Sequence, residues 1–133
     1  PPRSTLFPYT TLFRSATVHD PEKEKYADVV LMDVPCSGLG VMGKKRDIKY
    51  HATPESLQSI TELQRQIVAA GWQYVKPHGV LLYSTCTIHR GENQEMAVWI
   101  TENFPFVLEE ERQLLPGTDE TDGFYYARLR RKA

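Results

Sequence analysis

Two short apolar runs, Val29-Val30-Leu31-Met32 and Val80-Leu81-Leu82-Tyr83, stand on either side of one long amphipathic stripe. Each run is too short for a helix and lacks the polar alternation of a half-exposed strand, so each reads as a strand buried on both faces. Between them, Thr53-Pro54-Glu55 has the layout of a helix start, with a Thr N-cap, Pro at the first helical position and an acidic first turn. Leu57, Ile60, Leu63, Ile67, Val68, Trp72 and Val75 then recur at roughly 3.6-residue spacing, and Pro77-His78-Gly79 is expected to stop that helix. A strand, a helix and a second strand in this order constrain the chain to a parallel pair joined by a crossover. Gly91-Glu92-Asn93 opens a second helix with Met96, Trp99 and Ile100 on one face. Phe106-Val107-Leu108 and residues 123–129 close the pattern as two further strands. The expected fold class is α/β with a mostly parallel sheet.

In such sheets ligands bind beyond the carboxyl ends of the strands. The turns expected there are Asp33-Val34-Pro35-Cys36-Ser37-Gly38 and Ser84-Thr85-Cys86-Thr87. Cys36 and Cys86 are the only cysteines, which excludes a disulfide scaffold, and the topology directs both thiols into one crevice. Free cysteines commonly serve as small buried hydrophobes, but here Pro, Ser, Thr and Gly flank them instead of apolar neighbours. Gly38 to Lys44 fits the phosphate-loop spacing G-x-x-x-x-G-K after a strand. However, Lys45 stands where a hydroxyl must reach magnesium, and no helix follows at once. A cysteine-phosphatase loop needs Arg where Met42 stands. His51, His78 and His89 have no metal-ligand spacing, so no metal is expected.

A chain of 133 residues is one domain or a piece of one, and no apolar run approaches the roughly 20 residues of a membrane span. Within a net charge of −1 there are two basic groups: Lys44, Lys45, Arg46 and Lys49, then Arg128, Arg130, Arg131 and Lys132. They read either as solvated surface or as contacts to a polyanion. Residues 1–15 show neither a capped helix, nor strand alternation, nor a signal-peptide layout. They can be written as one continuous run of codons resembling a short-read sequencing adapter read in frame. The expectation is that residues 1–15 are adapter-derived and that the native sequence begins near Ala16.

The two cysteine turns carry a family resemblance. Asp33-Val-Pro-Cys-Ser-Gly-Leu-Gly-Val41 and Leu82-Tyr-Ser-Thr-Cys-Thr-Ile88 resemble the fourth and sixth motifs of RNA cytosine-5 methyltransferases. The match is to the Sun family, the ribosomal RNA small subunit methyltransferase B group, which modifies a cytosine in 16S ribosomal RNA. Asp47-Ile48-Lys49-Tyr50, Glu92-Asn93, Leu115-Pro116-Gly117 and Asp122-Gly123-Phe124-Tyr125-Tyr126-Ala127 extend the similarity. Arg46, where many relatives carry Pro, and His78, where Gly is usual, depart from it.

The resemblance implies a Rossmann-like S-adenosylmethionine-dependent domain of which residues 16–133 are the C-terminal portion. The first three strands and an N-terminal RNA-binding region would be missing. The strand order would be 4-5-7-6 with an antiparallel last strand, and Val29 to Met32 would be an exposed apolar edge. It also implies a reaction in which Cys86 adds to ring carbon 6 of cytosine, so that carbon 5 can attack the methyl of S-adenosylmethionine. Cys36 would assist breakdown of the adduct, and Asp33 would help hold S-adenosylmethionine or the cytosine amino edge. The implied partner is ribosomal RNA, gripped in part by the basic groups, and the implied setting is a cytoplasmic monomer. A non-catalytic RNA-binding fragment is the second reading, and a P-loop nucleotide-binding module the third.

Overall fold

The computed structural model describes residues 16–45 and 47–133, Lys49 by its backbone only; the adapter-like residues 1–15 lie outside the described residues. Four strands form one sheet: β1 (Ala27–Asp33), β2 (Val75–Thr85), β3 (Phe106–Leu114) and β4 (Phe124–Arg131). Three helices accompany them: α1 (Ile48–His51), α2 (Pro54–Gly71) and α3 (Gln94–Asn103). The sheet order is β1-β2-β4-β3. These neighbour relations are the ones expected, although the numbers 4 to 7 presuppose strands outside this chain.

The expectation of a mostly parallel sheet is corrected. β1 pairs with β2 in parallel, but β4 runs antiparallel to both β2 and β3, so the sheet is mixed. The cause is the reversed last strand, which inserts between two strands that would otherwise be neighbours. Two of the three ladders are thereby antiparallel.

The start of α2 follows the sequence closely. The Thr53 hydroxyl accepts from the Ser56 amide at 3.1 Å, while the Ser56 hydroxyl accepts from the Thr53 amide at 2.9 Å, a reciprocal cap on a Pro-led first turn. The end differs. α2 stops at Gly71, Trp72 lies in the short 3-10 turn Trp72–Tyr74, and Val75 already belongs to β2. Pro77-His78-Gly79 therefore lies inside a strand. It is accommodated because β2 bulges there: Ala27 pairs with Val75 and Val29 with Val80, so the intervening residues leave the ladder. His78 takes φ 65° in this bulge. A Cβ at Gly79 would sit 2.9 Å from the carbonyl oxygens of Asp28 and Lys76, so only glycine fits there.

Helices α2 and α3 cover one face of the sheet. There Met32, Val68, Leu81, Tyr83, Met96, Ile100, Tyr125 and Leu129 form the core. Each such side chain contributes about 1.5–3 kcal/mol of burial free energy, and the Tyr83 and Tyr125 rings meet edge to face at 6.4 Å. On the other face Val29 and Leu31 are 60% and 63% exposed, and β1 is an edge strand. β3 is longer than its three apolar residues suggested, because the charged run after Leu108 continues the strand as a second sheet edge. Among the described residues no helix is long and apolar enough to cross a membrane.

Candidate active site

The polar turns after β1 and β2 meet because the two strands are parallel and in register, with Asp33 opposite Ser84. Val34 extends the pairing by donating its amide to the Ser84 carbonyl at 3.1 Å. This carries the chain past the sheet and brings Cys36 against Cys86, with the two Sγ atoms 2.8 Å apart. The Cys86 amide also donates to Cys36 Sγ at 3.3 Å. Both cysteines are free and half-buried. Burial, with the neighbouring Cys86 sulfur second, pushes the Cys36 thiol up to about 12. Cys36 therefore holds its proton at neutral pH and can donate it to the Cys86 sulfur.

Asp33 sits at the end of β1 on the face that the helices leave open. Its Oδ1 accepts from the Ser84 hydroxyl at 2.9 Å. With Ser84, Leu31, Leu82, Phe124 and Tyr126 it lines an open, largely apolar groove of about 430 Å³. A second hollow of about 240 Å³ lies beside Cys36 and is bounded by Asp47, Ile48, His51 and Ile60. The cysteines thus stand together, and Asp33 stands one strand end away on the groove side.

The loop between the sites is built by backbone contact. The Gly40 amide donates to the Cys86 carbonyl at 3.1 Å, and the Gly123 amide donates to the Gly40 carbonyl at 2.7 Å. A Cβ on Gly40 would lie 2.3 Å from the Gly123 carbonyl oxygen and 2.7 Å from that of Cys86. This loop is a packing seam, with a 3-10 turn at Leu39–Val41, and among the described residues the next helix, α1, opens only at Ile48 instead of directly after Lys44, so the geometry gives the P-loop reading no support.

The C-terminal basic group is also reassigned. Arg128 lies 3.3 Å from Glu109 and 3.7 Å from Glu110, and Arg130 pairs with Glu109 at 2.9 Å. Arg131 is buried, donates to the carbonyls of Gln73 and Val75, and lies 4.8 Å over the Trp72 ring. Arg131 is thus committed within the fold, whereas Arg128 and Arg130 lie in half-exposed surface ion pairs. In the first basic group Lys44 pairs with Asp122 at 2.7 Å. Among the described residues no group of three or more His, Cys, Asp or Glu side chains is arranged to hold a metal ion.

Sequence reasoning missed the polar layer behind the thiols. Gln64, fully buried on α2, donates to the Pro35 carbonyl at 2.9 Å and to Glu92 Oε1 at 3.1 Å. The signal was present, since Gln64 interrupts the apolar stripe between Leu63 and Ile67. Asn93, also fully buried, accepts from the Thr85 hydroxyl at 2.6 Å and donates to the Thr87 carbonyl at 2.9 Å.

The family model for 16S rRNA methyltransferase RsmB/F matches residues 13–130. The chain belongs to this family. It is 34% identical over 127 residues to the ribosomal RNA small subunit methyltransferase F of Pectobacterium carotovorum, covering 82% of this chain and 26% of that protein. Similarity to the ribosomal RNA small subunit methyltransferase B of Vibrio cholerae is 39% identity over 109 residues, covering 77% of this chain and 25% of that one. Among solved structures, NSun6 from Pyrococcus horikoshii with SFG superposes with a TM-score of 0.69 at 26% identity, over 77% of this chain and 29% of that one. The chain thus spans about a quarter of the length of the relatives it matches.

Proposed function

We propose that this chain carries the thiol centre of an S-adenosylmethionine-dependent RNA methyltransferase acting on ring carbon 5 of a cytosine in 16S ribosomal RNA. Family membership supports the reaction class, and one observation carries the mechanism: two free thiols, Cys36 and Cys86, 2.8 Å apart at the carboxyl ends of two parallel strands. Carbon 5 of cytosine is a weak nucleophile until a sulfur adds to carbon 6 and makes the ring enamine-like. Cys86 is assigned as the attacking sulfur from the sixth-motif resemblance, with Cys36 the second thiol 2.8 Å away. After methyl transfer the carbon-5 proton must leave before the carbon 6–sulfur bond can break. A base must take that proton, the carbon 6–sulfur bond then breaks with its electron pair returning to Cys86, and Cys36 is the neighbouring thiol proposed to assist this breakdown. The target base has to leave its stack to reach the pair.

The residues fit one wall of an S-adenosylmethionine site. The groove beside Asp33 offers apolar surface with a single carboxylate at its rim, fixed by Ser84. Asp33 would accept a hydrogen bond there, from the cofactor or from the cytosine amino edge. When bound, the cofactor supplies an electrophilic methyl group. A relative solved with SFG, an analogue of S-adenosylmethionine, is consistent with that assignment. An rRNA substrate would place the enzyme in the cytoplasm.

The test uses a chimera in which residues 16–133 replace the matching segment of the Vibrio cholerae relative. It is incubated with a 16S rRNA fragment and S-adenosylmethionine, and protein–RNA adducts are read on denaturing gels. Cys86→Ala should form no adduct, whereas Cys36→Ala should accumulate one. An adduct in the Cys86→Ala protein would refute the assignment.

A further inference from the structure

Glu92 is fully buried, at the end of the 3-10 turn Arg90–Glu92 just before α3. A buried carboxylate costs several kcal/mol in lost hydration unless its oxygens are satisfied. Here Oε1 accepts from the Ser37 amide at 2.8 Å and from Gln64 Nε2 at 3.1 Å. Oε2 accepts from the Ser37 hydroxyl at 2.7 Å and the Thr87 hydroxyl at 3.4 Å, and lies 3.0 Å from His89 Nδ1. The Ser37 and Thr87 hydroxyls are themselves 2.8 Å apart. The Glu92 carbonyl accepts from the buried Tyr83 hydroxyl at 2.7 Å, which fixes the carboxylate's backbone to β2.

Ser37 follows Cys36 and Thr87 follows Cys86, so one carboxylate grips the residue after each thiol. Through Gln64 it also reaches the carbonyl of Pro35, the residue before Cys36. We infer that Glu92 is a positioning residue that holds the Cys36 and Cys86 turns in mutual register and so sets the contact between the two sulfurs. Glu92 touches neither sulfur. Apolar packing could fill its volume, but it could not accept from two turns at once. Asn93 braces the Cys86 turn but not the Cys36 turn, so of these two buried side chains only Glu92 reaches both turns, reinforcing the direct Ser37–Thr87, Cys86–Cys36 and Gly40–Cys86 contacts. In catalysis, on the proposed methyltransferase reading, losing this register would impair adduct release more than adduct formation.

The experiment reads thiol proximity directly and needs neither RNA nor cofactor, so its outcome is separate from that of the methyl-transfer assay. The chain is treated with 4,4′-dithiodipyridine. One cysteine sulfur displaces thiopyridone to give a mixed disulfide, and the other cysteine displaces a second thiopyridone. The products are a Cys36–Cys86 disulfide and two thiopyridones, with the reagent reduced and the two thiol protons carried on the thiopyridones. The rate of the second release reports how often the sulfurs meet. Glu92→Ala, with its far-UV circular dichroism intact, should slow that second step about ten-fold, the loss of roughly one charge-assisted hydrogen bond's worth of register. Glu92→Gln keeps the Oε1 acceptor and should stay within about three-fold of the parent. Should Glu92→Ala fail to fold, Thr87→Val removes the Thr87 hydroxyl, and with it the contacts to Glu92, to the Ser37 hydroxyl and to the His89 amide, and should slow the step about three-fold. A parent-like second step in a folded Glu92→Ala, or in Thr87→Val if the alanine variant does not fold, overturns the inference.

Discussion

Replacing Gly40 with alanine adds a single methyl group at the seam between the two cysteine turns. The new carbon would lie 2.3 Å from the Gly123 carbonyl oxygen and 2.7 Å from that of Cys86. Ordinary contact is near 3.4 Å, so one turn must retreat by about 1 Å, and both obstacles are backbone atoms that cannot rotate away. That retreat breaks or stretches the Gly40-to-Cys86 and Gly123-to-Gly40 hydrogen bonds. Overpacking costs about 1–3 kcal/mol, and two weakened backbone bonds add about 1 kcal/mol each, for a loss of roughly 3–5 kcal/mol. Urea unfolding followed by circular dichroism should show the midpoint falling by about 2 M at an ordinary slope for a chain this size. Gly43→Ala is the matched control, because nothing lies within 4 Å of a Cβ there. A Gly40→Ala loss below about 1 kcal/mol, equal to that of the Gly43→Ala control, would mean that the seam is not the rigid contact described.

Further outcomes follow from the site and the sheet. The Cys36 thiol, with its pKa raised to about 12 from 9.0, should alkylate with iodoacetamide at a rate that is still climbing at pH 10; a plateau below pH 9 would contradict the assignment. Because the folded state holds that proton more tightly than the unfolded chain, the corresponding stability is complete below pH 9 and is lost as pH rises from 9 toward 12. Arg131→Ala removes the guanidinium over Trp72 and leaves the Gln73 and Val75 carbonyls without that donor, so thermal or urea unfolding should report a loss of about 3 kcal/mol. Arg131→Lys should lose about half as much, since an ammonium cannot span both carbonyls and the ring.

The parts legible in the sequence were those governed by local rules. The Thr53-Pro54 helix start and the two apolar strands needed only propensity and period, and the convergence of Cys36 with Cys86 followed from parallel topology. The helix end was misread because Trp72 and Val75 continue the stripe by coincidence of spacing, while tertiary pairing with Ala27 draws Val75 into β2. The polar bracing of the thiols was hidden for a different reason. Gln64, Glu92 and Ser37 come from three separate segments, and nothing local in any of them says that they share a hydrogen bond. Likewise Arg128, Arg130 and Arg131 looked like one cationic patch in one dimension. Along a strand, however, alternate residues face opposite ways, and the opposing acids sit on β3.

The insertion of β4 between β2 and β3 has a consequence for the order in which a ribosome can deliver this site. Both cysteines emerge long before Gly123 and the strand that follows it. Until that last stretch has cleared the exit tunnel, β2 has no neighbour on that side, and Gly40 has no Gly123 amide to receive. During synthesis the thiols therefore spend an interval without their outer support, and they come under full conformational control only after Gly123 and β4 have emerged.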